Sequence, residues 1–188
     1  MSDVNDLYRR ATQHFGDLIK QVKDEQWEAS TPCPDWTVRE LANHVIGENR
    51  WVPPLMEGKT IEDVGNALDG DLLGNDPGSE WDSAAKEALA AAEEPGAFER
   101  TVHLSFGDFP GRLYVGQVLS DHVIHAWDLA RAIGADEKLP EDLVRFAWDE
   151  LSPQFELWRE GGAFGSKVEV GEDADLQTKL LAESGREA

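Results

Sequence analysis

Two side chains that could bind a metal ion lie one helical turn apart in the segment QVLSDHVIHAWDLARAIG, residues 117–134. Asp121 and His125 are four residues apart, which puts them on one helix face with Cβ atoms about 6 Å apart. Val118 and His122 share this largely apolar face, so the pair is predicted to point toward the core. A buried carboxylate needs a partner. The spacing leaves open an intrahelical hydrogen-bonded pair and a metal site.

His44 is a third candidate ligand, on a second predicted helix. Thr37, with Glu40 three residues later, forms a capping box that marks the start of this helix. His44 borders the apolar stripe of the helix, and Glu48 follows one turn later. The local sequence supports two interpretations equally. His44 either forms a surface hydrogen bond with Glu48, or binds a metal ion with Glu48 behind it as an acceptor or base.

Cys33 is the only cysteine, so an intrachain disulfide and a multi-cysteine zinc site are excluded. It stands between two prolines in the segment TPCPDW. No basic residue is close in the sequence to lower the pKa of its thiol. The sequence therefore disfavours Cys33 as a nucleophile.

The composition is that of an acidic globular protein. The chain has 188 residues, 17 Lys and Arg against 38 Asp and Glu, and a formal net charge of −21. Such an excess of negative charge disfavours nucleic acid and anionic membranes as partners. The chain contains no apolar run of about 18 residues and its first residues do not resemble a signal peptide, so we expect a cytoplasmic protein.

Hydrophobic periodicity predicts a mostly helical chain that forms a single domain over residues 1–188. A Gly- and Asp-rich link forms a long crossover connection, and a short strand and further C-terminal helices follow. The four principal helices are predicted at 4–22, from 38 to a stop at the prolines of 51–54, at 79–94 with Ser79 as its cap, and at 112–133. The link covers 56–77, the strand 101–106 is followed by a turn at 107–111, and the last helices begin near Pro140 and after Asp173. In helix bundles, facing helices often supply an interior metal site.

Two segments together, PCPDWTVRELANHV and DHVIHAWDLARAIG, resemble the DinB/YfiT-like superfamily of metal-binding four-helix bundles. The branch that they resemble most is related to the N-terminal domain of mycothiol-dependent maleylpyruvate isomerase. The resemblance covers nearly the whole chain, including GAFGSKVEV and LLAESGRE near its end. It implies a DinB-like four-helix bundle with a long crossover connection, a short β element and extra C-terminal helices.

The resemblance also implies three metal ligands, His44, Asp121 and His125. Many superfamily members use three histidines, and the isomerase has glutamate where this chain has Asp121, whose side chain is shorter by one methylene. His122 lies off the family position and is assigned to the core or to a place behind the ligands. The other polar and aromatic residues of the WDLAR signature are assigned to packing and ion pairs, namely Trp127, Asp128 and Arg131.

Two histidines and one carboxylate would leave a coordination position open, as in catalytic zinc sites. Zinc suits this donor set best, with nickel, iron and manganese as alternatives. The resemblance implies an enzyme that uses a low-molecular-weight thiol such as mycothiol for S-transfer or isomerisation. Its partners would be that thiol and an electrophilic substrate, and a homodimer is possible. The alternatives are metal-dependent hydrolysis and a non-catalytic metal-binding or stress-response protein.

Overall fold

A computed structural model describes residues 3–34 and 36–188 of the chain. The structure is mostly helical, as the sequence predicts, with one small antiparallel sheet. The helices are α1 (Val4–Ile19), α2 (Val38–Met56), α3 (Ile61–Val64), α4 (Pro77–Ala92), α5 (Gly111–Ile133), α6 (Glu141–Leu151), α7 (Phe155–Glu160) and α8 (Leu176–Glu183). The strands are β1 (Thr101–Leu104) and β2 (Gly107–Pro110).

Four long helices pack around a common core. Helix α1 contacts α4 and α5, and α2 also contacts α4 and α5, so the four form a closed ring. The long connection between α2 and α4 allows α4 to pack between α1 and α2. The largest fully buried side chains come from all four helices and include Tyr8, Phe15, Leu41, Ile46, Trp81, Leu119 and Trp127. This arrangement confirms the expected bundle with its long crossover connection.

Side-chain caps fix where two of these helices begin. Thr37 Oγ1 accepts a hydrogen bond from the Glu40 backbone N–H at 3.2 Å, and Glu40 Oε2 accepts one from the Thr37 N–H at 2.7 Å. The predicted capping box is therefore present. The prediction of Ser79 as the cap of α4 is wrong. Asp76 Oδ1 accepts from the Ser79 backbone N–H at 3.1 Å, and Pro77 occupies the first turn, where its missing donor costs nothing.

The prediction that the prolines end α2 is also wrong, because the helix continues through Pro53 and Pro54 to Met56. A proline lacks the backbone donor but keeps its carbonyl acceptor. The Pro53 carbonyl accepts from the Glu57 N–H and the Pro54 carbonyl from the Lys59 N–H, both at 3.0 Å. The helix therefore continues past its prolines, because their carbonyls still accept hydrogen bonds from the residues that follow.

The β element is a hairpin in which Thr101 lies opposite Pro110 and Leu104 lies opposite Gly107. The first strand is shorter than predicted, since it ends at Leu104. Most of the segment predicted as a turn forms the second strand. Proline is accepted there because this two-stranded sheet leaves one side of each strand free of ladder bonds. Phe106, at the hairpin tip, is 59% exposed.

Helix α5 is the central element, and most of its length is buried. It begins at Gly111, where a Cβ atom would lie 2.2 Å from the Ala97 carbonyl oxygen. It ends at Ile133 and is capped by Gly134, the predicted C-terminal glycine, which has a left-handed φ of 72°. Helix α6 packs on α5 and α8 packs on α6, which returns the C-terminal residues to the bundle. Among the described residues, no helix is both long and apolar enough to cross a membrane.

Candidate metal centre

The structure brings His44 of α2 together with Asp121 and His125 of α5. The His44 Nε2 atom lies 3.3 Å from Asp121 Oδ2, and His125 Nε2 lies 3.3 Å from Asp121 Oδ1. One potential ligand atom from each residue falls within 4.8 Å of the others. The i, i+4 spacing on α5 and the packing of α2 against it thus place all three side chains in one cluster, as the resemblance implies.

Asp128 holds the His125 ring from the other side. Asp128 Oδ2 lies 2.9 Å from His125 Nδ1, and the Asp128 side chain is fully buried. Burial alone would raise the pKa of Asp128, but the bond with His125 and the charge of Arg186 lower it to about 2. When His125 is neutral, the ionised Asp128 accepts its Nδ1 proton, which leaves the Nε2 lone pair available to a metal ion. This tautomer is the one that a metal ligand requires.

The residues of this cluster fit a divalent cation. Asp121 Oδ2 is shielded from solvent and has no hydrogen bond with any described residue. Two imidazole nitrogens and a carboxylate oxygen are also ligands that zinc accepts readily. An ion between them would satisfy this carboxylate oxygen, with which His44 Nε2, 3.3 Å away, does not form a hydrogen bond of good geometry.

The electrostatics of the cluster are dominated by Asp121. Burial would raise the pKa of Asp121, but the two neighbouring histidines hold it well below its usual value. Burial alone would lower the pKa values of His125 and His44. The negative charge of Asp121 has the larger effect, so the pKa of His44 is raised and the pKa of His125 lies well above its usual value. Without an ion, the folded protein therefore favours charged imidazoles here.

Glu48 is partly buried and lines the same cavity, and its carboxylate forms no hydrogen bond to a described residue. Burial and the negative charge of Asp121 raise the pKa of its carboxyl to about 7. The alternative in which His44 forms a surface hydrogen bond with Glu48 is not observed, since His44 faces Asp121. Glu48 is left as a cavity carboxylate that can exchange a proton near neutral pH.

A second group of possible ligands shares His125 and adds Cys33 and Asp128. The Cys33 thiol donates to Asp128 Oδ2 at 3.2 Å, and Arg186 Nη2 lies 3.3 Å from Cys33 Sγ. A guanidinium fixed this close to Cys33 would repel a metal cation bound there. We therefore assign the candidate metal centre to the cluster around Asp121. Cys33 has no basic residue close to it in the sequence, but the fold brings Arg186 to it from 153 residues further along the chain.

His122 belongs to the core. Its ring is fully buried between aromatic side chains, and its Nδ1 lies 3.3 Å from Thr12 Oγ1. Its ring centroid lies 5.7 Å from those of Tyr8 and Trp81. Burial lowers the pKa of His122 to about 4, so it stays neutral at physiological pH. The assignment of His122 to the core is therefore confirmed.

Two residues of the WDLAR signature have the structural roles expected of them. Trp127 is buried, and the Arg131 guanidinium lies 4.3 Å from its ring centroid. Arg131 also pairs with Glu137 at 2.9 Å. Asp128 does form an ion pair, with Arg186, but its bond to His125 also ties it to the candidate metal centre. Its position three residues after His125, one helical turn, was the available sequence signal.

The cluster lines a cavity of about 760 Å³. His44 and Asp121 have side chains 32% and 30% exposed, whereas that of His125 is only 8% exposed. The Trp36 ring lies beside both imidazoles, at 4.9 Å from His44 and 5.8 Å from His125 between centroids. An ion held by the three side chains would therefore be reached from the cavity, on the side of His44 and Asp121.

Comparison with known proteins identifies the family of this chain. Residues 8–130 match the family described as the mycothiol maleylpyruvate isomerase N-terminal domain, and the chain belongs to this family. The matched range contains His44, Asp121 and His125 but not Arg186. Uncharacterized proteins from two strains of Mycobacterium tuberculosis are 31% identical to it over 141 residues, covering 73% of this chain and 71% of theirs.

The fold is also similar to solved structures. The crystal structures of the mycothiol-dependent maleylpyruvate isomerase and of one of its histidine-to-alanine mutants each superpose with a TM-score of 0.64. The alignments cover 87% of this chain and 72% of the isomerase, at 18% and 17% identity. At such identities the match establishes the shared fold.

Replacing Asp128 tests its role in orienting His125. We expect Asp128→Asn to weaken zinc binding by about 10- to 100-fold, because the amide no longer fixes the Nδ1 proton. Competition with a chromophoric chelator measures the affinity, and circular dichroism checks that the variant is folded. Asp149→Asn, which removes an exposed carboxylate from α6, is the matched control. Equal zinc affinities in all three proteins would show that Asp128 does not act on the site.

The raised histidine pKa values predict how metal binding depends on pH. In the metal-free protein, the protonated forms of His44 and His125 stabilise the fold below the usual histidine pKa. This stabilisation is lost as the pH rises through the pKa values of the folded protein. Histidines that bind a metal ion must be neutral. Because the pKa values of His44 and His125 are raised above the usual histidine value of 6.5, protons compete with the ion even above that pH. We expect zinc affinity to fall at least about tenfold per pH unit below the folded values. Titrations between pH 8 and 6 that give a constant affinity would contradict this.

Proposed function

We propose that this protein is a metal-dependent enzyme that uses a low-molecular-weight thiol of the mycothiol type for S-transfer or isomerisation. The observation that carries the proposal is a cluster of two imidazoles and a carboxylate facing a cavity large enough for a thiol and a second molecule. Membership of the mycothiol maleylpyruvate isomerase N-terminal domain family supports the thiol. A cytoplasmic location would supply the thiol in reduced form.

The ligands proposed are His44, Asp121 and His125, and zinc is the ion that suits them best. When bound, the ion would lower the pKa of a coordinated thiol and hold it as a thiolate. Asp128 keeps His125 in the required tautomer, and Glu48 faces the same region with a carboxyl that titrates near pH 7. We assign Glu48 as the acceptor of the thiol proton.

The two reactions share their first step. The thiol sulfur loses its proton to Glu48 and attacks an electrophilic carbon of the substrate. In S-transfer, the new C–S bond forms as the bond to a leaving group breaks, and that group departs with the electron pair. In isomerisation, the sulfur adds to a double bond and rotation follows about the resulting single bond. Elimination then restores the double bond and expels the thiolate, which takes its proton back from Glu48.

The cavity favours an enzyme over a non-catalytic metal-binding protein, which would need no such space beside the ion. Its walls carry three tryptophans, Trp36, Trp51 and Trp158, and these can hold an organic substrate and displace water from it. Metal-dependent hydrolysis would use the same ligands with water in place of the thiol. The aromatic walls favour the thiol reaction, because they suit organic ligands better than water.

A turnover assay tests the proposal. Zinc-loaded protein with mycothiol should accelerate consumption of chlorodinitrobenzene or maleylpyruvate above the uncatalysed rate, and a chelator should remove the acceleration. Asp121→Asn should lose the activity, while Asp149→Asn should keep it. No acceleration with either electrophile would reject the proposed function.

Thermal melting reports on the ion independently of activity. A bound ion stabilises the folded state by mass action. A chelator should therefore lower the melting temperature of the zinc-loaded protein and leave Asp121→Asn nearly unchanged. If the chelator moved neither protein, the metal-dependent part of the proposal would fail.

A further inference from the structure

The C-terminal residues return to the bundle through a turn at the end of α8. The Gly185 N–H donates to the Ala182 carbonyl at 3.1 Å. The Arg186 N–H donates to the Leu181 carbonyl at 2.8 Å. This pair of bonds is the Schellman motif, in which the residue after the helix adopts a left-handed conformation. Gly185 supplies that residue, with a φ of 85°. The turn reverses the chain and directs Arg186 toward Asp128 of α5.

Arg186 binds the carboxylate of Asp128 with two hydrogen bonds. Its Nε donates to Asp128 Oδ1 at 3.2 Å, and its Nη2 donates to Asp128 Oδ2 at 2.8 Å. A bidentate pair of this kind fixes the plane of a carboxylate as well as its position. The Arg186 side chain is only 9% exposed, and its Nη1 donates to the Ser184 carbonyl at 2.7 Å. The turn therefore holds the guanidinium in place.

The two carboxylate oxygens of Asp128 have different partners. Oδ2 lies 2.9 Å from His125 Nδ1 and also accepts from the Cys33 thiol. Oδ1 has Arg186 as its one partner among the described residues. The torsion that turns an aspartate carboxylate is soft, so its partners decide its orientation. Without Arg186, the buried Oδ1 would have no donor, which is costly. The carboxylate would then turn, and Oδ2 would move away from the His125 ring.

We propose that Arg186 is a positioning residue, which acts through Asp128 to hold the His125 ring in the orientation and tautomer that metal binding requires. It acts without contacting the ion. The inference rests on the metal ligands of the proposed function but not on the reaction. The C-terminal turn becomes part of the site, although it lies outside residues 8–130, the range that matches the family.

The charge of Arg186 and its hydrogen bonds predict opposite effects on zinc binding. Loss of the charge alone should tighten binding, because a divalent ion gains more from reduced repulsion than a competing proton does. Loss of the positioning effect should weaken it. We expect Arg186→Gln to weaken zinc binding about tenfold, as measured by competition with a chromophoric chelator. An affinity equal to that of the unmodified protein, or higher, would overturn the proposal.

Arg112→Gln is the matched control. It removes the same charge from an exposed pair with Glu150 on α5 and should leave the zinc affinity unchanged, whereas an equal loss in this variant would overturn the proposal. Circular dichroism checks each fold. If Arg186→Gln does not fold, Arg186→Lys takes its place, since it keeps the charge without the planar fork. Arg186→Lys should also bind zinc more weakly, and an unchanged affinity would overturn the proposal.

A double-mutant cycle shows whether Arg186 acts through Asp128. In the Asp128→Asn background, Arg186→Gln should weaken zinc binding no further, because the carboxylate that Arg186 positions is already absent. Losses that added together would mean that Arg186 acts by another route and would overturn the proposal.

Nitrogen NMR of the metal-free protein reads the tautomer of His125 directly. At a pH high enough to leave this ring neutral, the unmodified protein should carry the proton on Nδ1, and Arg186→Gln should populate the form protonated on Nε2. An unchanged tautomer would overturn the proposal. If the unmodified protein bound no zinc, the metal ligands of the proposed function would be rejected, while the tautomer would still decide the role of Arg186. Lack of turnover would alter neither measurement.

Discussion

The buried carboxylate of Asp128 connects three distant parts of the chain. It accepts from His125 within α5, from the Cys33 thiol before α2, and from Arg186 near the C-terminus. An ionised group without solvent needs such partners, so the loop, the helix and the tail must all be in place together. The candidate metal centre depends on this network, because the network sets which nitrogen of His125 faces Asp121.

Helix α5 makes this arrangement possible because its faces have separate tasks. One face presents Asp121 and His125 to the cavity, and another buries His122 among the aromatic residues of α1 and α4. Asp128 lies one turn beyond His125 and meets the returning tail. Neighbouring histidines on one helix therefore differ in pKa, low for the core residue and high for the one beside two carboxylates. The difference follows from the partner that each imidazole finds.

The features that depend on residues close together in the sequence were predicted correctly. The capping box of Thr37, the helical period of α5 and its terminal Gly134 were each visible within a few residues, and the family resemblance joined His44 to Asp121 and His125. The sequence could not reveal that Arg186 contacts Cys33, because only the packing of the C-terminal residues brings the two together. The cavity was likewise invisible, since its walls come from α2, the β1–β2 hairpin, α5 and α7. The prolines of α2 led to a wrong prediction because their carbonyls still accept hydrogen bonds from the residues that follow, so the helix continues to Met56.

We expect an ion to bind to His44, Asp121 and His125 and not to the cluster that contains Cys33. X-ray absorption spectroscopy of zinc-loaded protein, in buffer free of thiols, tests it most directly. We expect nitrogen and oxygen neighbours at about 2.0–2.1 Å with imidazole scattering from two rings. A sulfur neighbour at about 2.3 Å would place the ion at Cys33 and contradict the account.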